Sequence, residues 1–169
     1  MIGISKAYVT RVGSGPFPTE LLDDTGEKLR QVGGEFGATT GRPRRCGWFD
    51  AMVVRYAVRI NGLTGIALTK LDVLSDFDSI KVCVGYRFEG QELETLPAKL
   101  ETFEQCEPIY EELPGWKSDI SDVRSFEQLP ENAQSYVKRL EELAGCPIVL
   151  VSVGPRRDQT MMIKNPFAA

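Results

Sequence analysis

A layered α/β fold is predicted for residues 1–169, read as one unit: a sheet with flanking helices and an antiparallel hairpin as decoration. Three observations carry it. Residues 148–153 form an apolar run interrupted only by Ser152, the mark of a central strand covered on both faces. Ahead of it, Ala133, Tyr136, Val137, Leu140 and Leu143 recur at helical spacing within 130–144. The same order, an amphipathic stripe and then a short apolar run, appears earlier over 48–60 and 65–69, and such alternation favours helices packed on a sheet.

Element by element, residues 1–18 read as an extended segment running into a turn-rich stretch, because Gly13, Gly15, Pro16 and Pro18 forbid regular helix. A short helix is predicted over 19–31, with Asp23, Asp24 or Thr25 as its cap. The glycine-rich stretch 33–47 reads as a loop. Phe49, Met52, Val53, Tyr56, Ala57 and Ile60 then form the apolar face of a helix over 48–60, ended by Asn61-Gly62. Residues 80–88 form a strand, and Glu89-Gly90-Gln91 turns it back as a hairpin into 92–94. Residues 106–113 read as extended and 159–163 as the last strand. Pro130 suits the first turn of the helix over 130–144, and Gly145 suits its C-terminal cap.

Composition limits the function classes. With 42% hydrophobic and 26% charged residues the chain can bury an ordinary core. A net charge of −4 argues against a general nucleic-acid or membrane-surface binder. No run approaches the roughly 20 apolar residues that span a bilayer, and no apolar leader opens the chain. Cys46, Cys83, Cys106 and Cys146 are widely spaced without a CxxC pair, which reads as reduced thiols in a cytoplasmic protein. Histidine is absent. That excludes a Ser-His-Asp triad, a Cys-His pair, a histidine-containing zinc site and a histidine general acid or base within these residues.

Four stretches carry chemistry. In GATTGRPRRCGW, Gly37 to Trp48, glycines let backbone N–H groups approach an anion and Thr39 and Thr40 add hydroxyls. Arg42, Arg44 and Arg45 add planar forks that match carboxylate or phosphate. From the residues alone this also fits a solvated basic loop. The second stretch is TKLD, Thr69 to Asp72, directly after an apolar strand. A carboxylate there accepts from both the N1–H and the exocyclic amine of guanine; adenine has no N1–H. The lysine stem can cover the base while its ammonium stays wet. A plain surface Lys and Asp ending a strand is the other reading. The third, SVGPRR from Ser152 to Arg157, also follows an apolar strand, where ligands of α/β sheets bind, and fits either a base pocket or a simple turn. The fourth, Lys6 to Glu20, is a rigid loop that presents Val12.

Together these stretches resemble one family, adenylosuccinate synthetase. The blocks KAYVTRVGSGPFPTEL, GEFGATTGRPRRCGW, LTKLDVL, EPIYEELPGW and VSVGPRRDQTMM lie in family order, and the similarity runs from Ile2 to Phe167. The resemblance implies the C-terminal part of that fold. It also implies a GTP-dependent joining of IMP and L-aspartate, with magnesium bridging the nucleotide phosphates and the IMP 6-oxygen phosphorylated before the aspartate amine displaces it. By motif position it places Lys70, Leu71, Asp72, Ser152, Val153, Gly154 and Arg44 at GTP, with Asp72 as the guanine acceptor. Arg42 and Val12 fall at IMP, and Ala38, Thr39, Thr40, Gly41, Arg42, Pro43 and Arg44 at aspartate. Pro43 interrupts the arginine run of many relatives and, by fixing φ, stiffens the loop.

The family's glycine-rich GDEGKGK-type phosphate loop, its catalytic Asp and His and its magnesium contacts are not among these residues. No catalytic residue and no metal ligand is therefore expected here. The alternatives are a part that works with the N-terminal portion of the same enzyme, a non-catalytic guanine-nucleotide or anion-binding fragment, or an inert truncation. The resemblance further implies a homodimer for the full-length protein and no synthetase activity for the chain alone.

Overall fold

The computed structural model describes residues 1–165, so Phe167, the last residue of the resemblance, lies outside the described residues. The main sheet has the order β1 (Ile2–Lys6), β5 (Gly65–Thr69), β9 (Ile148–Ser152) and β10 (Thr160–Met162). β1, β5 and β9 run parallel, with Ile2 opposite Gly65 and Lys6 opposite Thr69, and β10 returns antiparallel. This register sets Lys6, Thr69 and Ser152 along one edge, the C-terminal ends of three parallel strands, where α/β sheets place their ligands.

A second sheet is built on β6 (Ser79–Phe88), which pairs in parallel with β4 (Phe49–Asp50) and antiparallel with β7 (Gln91–Leu93) and β8 (Glu107–Pro114). The expected hairpin is present. Its turn is the two residues Glu89 and Gly90, both at positive φ, so Gln91 already pairs with Phe88. A two-stranded ribbon of β2 (Val9–Arg11) and β3 (Arg45–Gly47) lies apart.

Two helix starts differ from the sequence reading. α1 spans Asp24–Gly33, because Asp23 caps it by accepting from the N–H groups of Thr25 and Gly26, both at 3.1 Å. Residues 19–22 are held off helix by β3: Glu20 bridges to Gly47, and the Leu21 N–H donates to the Cys46 carbonyl. α2 spans Ala51–Asn61 with Asp50 as its cap, while Phe49 and Asp50 are claimed by β6. Gly62 ends α2 in the left-handed conformation, as Asn61-Gly62 predicts. A five-residue helix, α3 (Leu100–Glu104), has no counterpart in the sequence reading.

α4 (Glu131–Ala144) closes on Gly145 at φ 64°, with Pro130 just outside its first turn. It buries Ala133, Tyr136, Val137, Leu140 and Ala144, and the Tyr136 hydroxyl donates to the Ala7 carbonyl at 2.8 Å. Leu140, fully enclosed, packs in the cluster that holds Ile66, Leu68, Ile148 and Val151. Leu140→Ala is expected to cost about 2–5 kcal/mol by lost transfer energy plus cavity, read as a lower urea midpoint. The four cysteines are free and buried, and burial raises the thiol pKa of each. Among the described residues no helix is long and apolar enough to cross a membrane.

Candidate nucleotide-binding site

At the strand-end edge a cavity of about 470 Å³ opens, lined on one side by Thr69, Lys70, Asp72, Ser152 and Gly154 and on the other by the C-terminal end of α1. Its shape follows from one backbone choice. Lys70 takes a left-handed conformation, φ 60°, which turns the chain sharply from β5 into a 3-10 turn over Leu71–Leu74. A non-glycine residue there costs roughly 1–2 kcal/mol. The turn buries Leu71 completely while leaving Asp72 on the cavity wall. Lys70 Nζ is tied down by the Gly33 carbonyl and by Glu35 at 3.0 Å.

Asp72 carries an unspent acceptor. Its Oδ1 is sealed from solvent and has no hydrogen-bond partner among the described residues. Burial raises its pKa, against its own backbone N–H and Lys70. Leaving such a group unpaired costs about 1–3 kcal/mol. The carboxylate torsion is broad and two-fold, so either oxygen can turn to the cavity. Across from it, Ser152 Oγ donates to the Gly154 carbonyl at 2.9 Å. Gln159 pins the same turn: its Nε2 donates to Ser121 and its Oε1 accepts from the Arg156 N–H, both at 3.0 Å. A Cβ on Gly154 would meet the Gln159 amide at 2.4 Å, so a larger residue there would push that amide off its hydrogen bonds to Ser121 and Arg156. Leu71 and Val153, which the sequence places at GTP, are fully buried and do not line the cavity.

The arginine loop sits beside this cavity. Ala38, Thr39, Thr40, Gly41, Arg42 and Pro43 are exposed on a tight loop, closed by the Gly37 N–H on the Arg42 carbonyl at 2.9 Å and the Gly41 N–H on the Gly37 carbonyl at 2.8 Å. Neither Arg42 nor Val12, which is 78% exposed, lines the cavity with Asp72. Arg44, at the loop's neck, reaches inward to Glu35 Oε2 at 2.8 Å. Arg45 is spent differently. It pairs with Glu20, Nε to Oε1 at 2.8 Å, and donates to the Gly13 and Gly15 carbonyls, so it braces the loop carrying Val12.

Glu35 is the residue the sequence reading missed. It is fully buried, and its two oxygens accept from Lys6 at 2.8 Å, Tyr8 at 2.6 Å, Lys70 at 3.0 Å and Arg44 at 2.8 Å. Burial pushes its pKa up, but donation by Lys6, Tyr8, Lys70 and Arg44 outweighs it and brings the value down to about 2. Its partners lie far along the chain, so no local spacing announces it. The one available signal was a lone acid among the glycines of GGEFG, shortly ahead of Arg42, Arg44 and Arg45.

The adenylosuccinate synthetase family profile matches residues 1–161. The chain belongs to the adenylosuccinate synthetase family. It is 89% identical over 167 residues to adenylosuccinate synthetase of Trichlorobacter lovleyi and 80% identical over 167 residues to that of Geobacter sulfurreducens. Each comparison covers 99% of this chain and 39% of the relative, so the chain spans about two-fifths of their length. The fold matches a solved structure of fully ligated adenylosuccinate synthetase from Plasmodium falciparum, with TM-score 0.93 and 46% identity over 96% of this chain and 39% of that one. Magnesium, which the family implies, finds no ligand set here: among the described residues no group of three or more His, Cys, Asp or Glu side chains is placed to hold a metal ion. The cavity itself contributes one carboxylate, Asp72.

Proposed function

We propose that this segment supplies the guanine-reading part, and the IMP and aspartate contacts, of a cytoplasmic GTP-dependent ligase that joins IMP and L-aspartate. The observation that carries the reading is the Asp72 side chain on the wall of a strand-end cavity shared with Lys70, Ser152 and Gly154, with one carboxylate oxygen left without a protein partner. Guanine offers two adjacent donors to that carboxylate, whereas adenine offers an acceptor at N1, so the cavity favours GTP. Lys70 covers the base plane with its stem. Ser152 and Gly154 close the pocket, and the buried Leu71 and Val153 support its wall from the core.

In the same reading the backbone of Ala38, Thr39, Thr40 and Gly41 forms the aspartate-binding turn, stiffened by Pro43. Arg42 reaches aspartate and IMP, Val12 touches IMP, and Arg44 lies between the GTP phosphates and the aspartate carboxylates. The chemistry of proton removal and phosphoryl activation falls to residues outside this segment, within a full-length protein that acts as a homodimer. What these residues do is bind, orient and select.

Calorimetric titration of the chain with GTP and with ATP tests the base reading. Tighter binding of GTP is expected, and equal affinities overturn it. In a full-length family member carrying this segment, Arg42→Leu is expected to raise KM for aspartate and IMP by about tenfold or more, the scale of one lost charge-assisted contact. KM for GTP is expected to change little. Equal rises for all three substrates would assign Arg42 to holding the loop's shape.

A further inference from the structure

Resting on the guanine reading above, we infer that Glu35 is a positioning residue that locks the base-covering Lys70 and the loop-neck Arg44 into one rigid unit, so that the guanine cavity and the arginine loop respond to ligand together. Glu35 is fully buried, and its Oε1 takes Lys70 while its Oε2 takes Arg44. Those two cations belong to different features: Lys70 lines the base cavity, and Arg44 ends the exposed loop.

The backbone reinforces the tie. The Arg44 N–H donates to the Glu35 carbonyl at 2.9 Å, and Phe36 bridges to Pro43, so Glu35 and Arg44 face each other across the neck of the 37–42 loop. On the other side the Gly33 carbonyl accepts from Lys70, two residues before Glu35. A displacement of the loop neck therefore reaches Lys70 through a single side chain.

Neutralisation alone does not explain this cluster. One buried carboxylate needs one cation, and here Lys6, Lys70 and Arg44 all converge on it. A well-packed apolar group at such a place is commonly as stable as a buried ion pair or more so. What the carboxylate adds is geometry, since it fixes three flexible side chains with hydrogen bonds of 2.8–3.0 Å. It also leaves an excess of positive charge on surfaces that face outward: Lys6 lines a second cavity with Thr10 and Arg11. A polyanionic nucleotide meets an array already assembled, and the ordering cost of each lysine or arginine is met in folding instead of in binding.

The test is GTP titration of the chain and its variants. Glu35→Gln keeps the size and removes the charge, and Glu35→Asp keeps the charge one methylene short of spanning both cations. Lys70→Ala and Arg44→Ala, singly and together, are measured in each background. Residues coupled through one carboxylate give non-additive losses. In the unaltered chain the double loss is expected to differ from the product of the single losses by about threefold or more. In Glu35→Gln this coupling vanishes and GTP binding weakens about tenfold; in Glu35→Asp both effects are partial. A purely structural role would change melting and leave the coupling of the folded fraction untouched. GTP binding and coupling that match the unaltered chain in either variant that folds overturn the inference. If the unaltered chain does not prefer GTP to ATP, the base reading itself fails and the anchor falls with it, an outcome distinct from the first.

Discussion

Asp72→Asn is expected to remove most of the preference for GTP over ATP, a loss of about 1–3 kcal/mol for each guanine hydrogen bond to a charged acceptor, or roughly 5- to 150-fold in Kd. The size follows from which atoms change. A carboxylate presents only acceptors, and guanine's N1–H and exocyclic amine present two donors side by side. Asparagine turns one of those acceptors into a donor, so one guanine donor is left facing an N–H in a site where Oδ1 already has no protein partner. The amide suits adenine better, since its N–H can donate to adenine N1, which a carboxylate can only repel. ATP affinity is therefore expected to hold or rise while GTP affinity falls. Titration with GTP, ATP and inosine triphosphate separates the contributions, because the inosine base keeps N1–H and lacks the 2-amine. Unchanged discrimination in the variant would remove Asp72 from base reading.

How much of this was legible depended on sequence distance. The strand-end motifs were readable because their logic is local: an apolar strand, a sharp turn, and a polar side chain at the point where α/β sheets bind ligands. Lys70, Asp72, Ser152 and Gly154 do meet in one cavity. The strand and helix cores were readable for the same reason, as Ile148–Ser152 and Glu131–Ala144 carry their own periodicity. Helix starts were not. The apolar pattern of α2 continues backward through Trp48 and Phe49, yet those residues are taken by tertiary partners, Phe49 by β6 and Trp48 by an edge-on contact with Phe77 at 5.5 Å. α3 is too short to show a stripe. Glu35 was invisible for a further reason: a buried charge is justified by partners from three other parts of the chain, Lys6, Arg44 and Lys70, and nothing in the residues next to it names them.

Glu35 also makes the fold sensitive to acid, with a sign fixed by the direction of its shift. Its carboxyl titrates at about 2 in the folded chain against an ordinary 4.5. Because the folded value is depressed, the stabilisation is fully present above about pH 4.5 and is lost as pH falls through the interval down to about 2. Across that interval the shift corresponds to roughly 3 kcal/mol, a large share of a domain's stability. Two other buried carboxyls act in the opposite sense. Asp50, which caps α2 and accepts from Tyr86, is raised by burial, and so is Asp72, so each binds its proton more readily in the folded chain and softens the acid loss. Tyr8 does not join the titration, because burial and Glu35 hold its phenol far above the range and it remains a donor throughout. Urea midpoints measured from pH 7 to pH 2 should therefore fall more steeply below pH 4.5 for the unaltered chain than for Glu35→Gln. At pH 7 the variant leaves Lys6, Lys70 and Arg44 crowded without their counter-charge, and a deficit of about 3–5 kcal/mol is expected, as for a buried pair deprived of one partner. Near pH 2, where about half of the native carboxyl has taken up its proton and most of the linked stabilisation is gone, that deficit should shrink to a fraction of its neutral value. A stability difference between the two proteins that stays constant from pH 7 to pH 2 would mean that Glu35 is held by shape alone, and that the three cations around it owe their placement to something other than its charge.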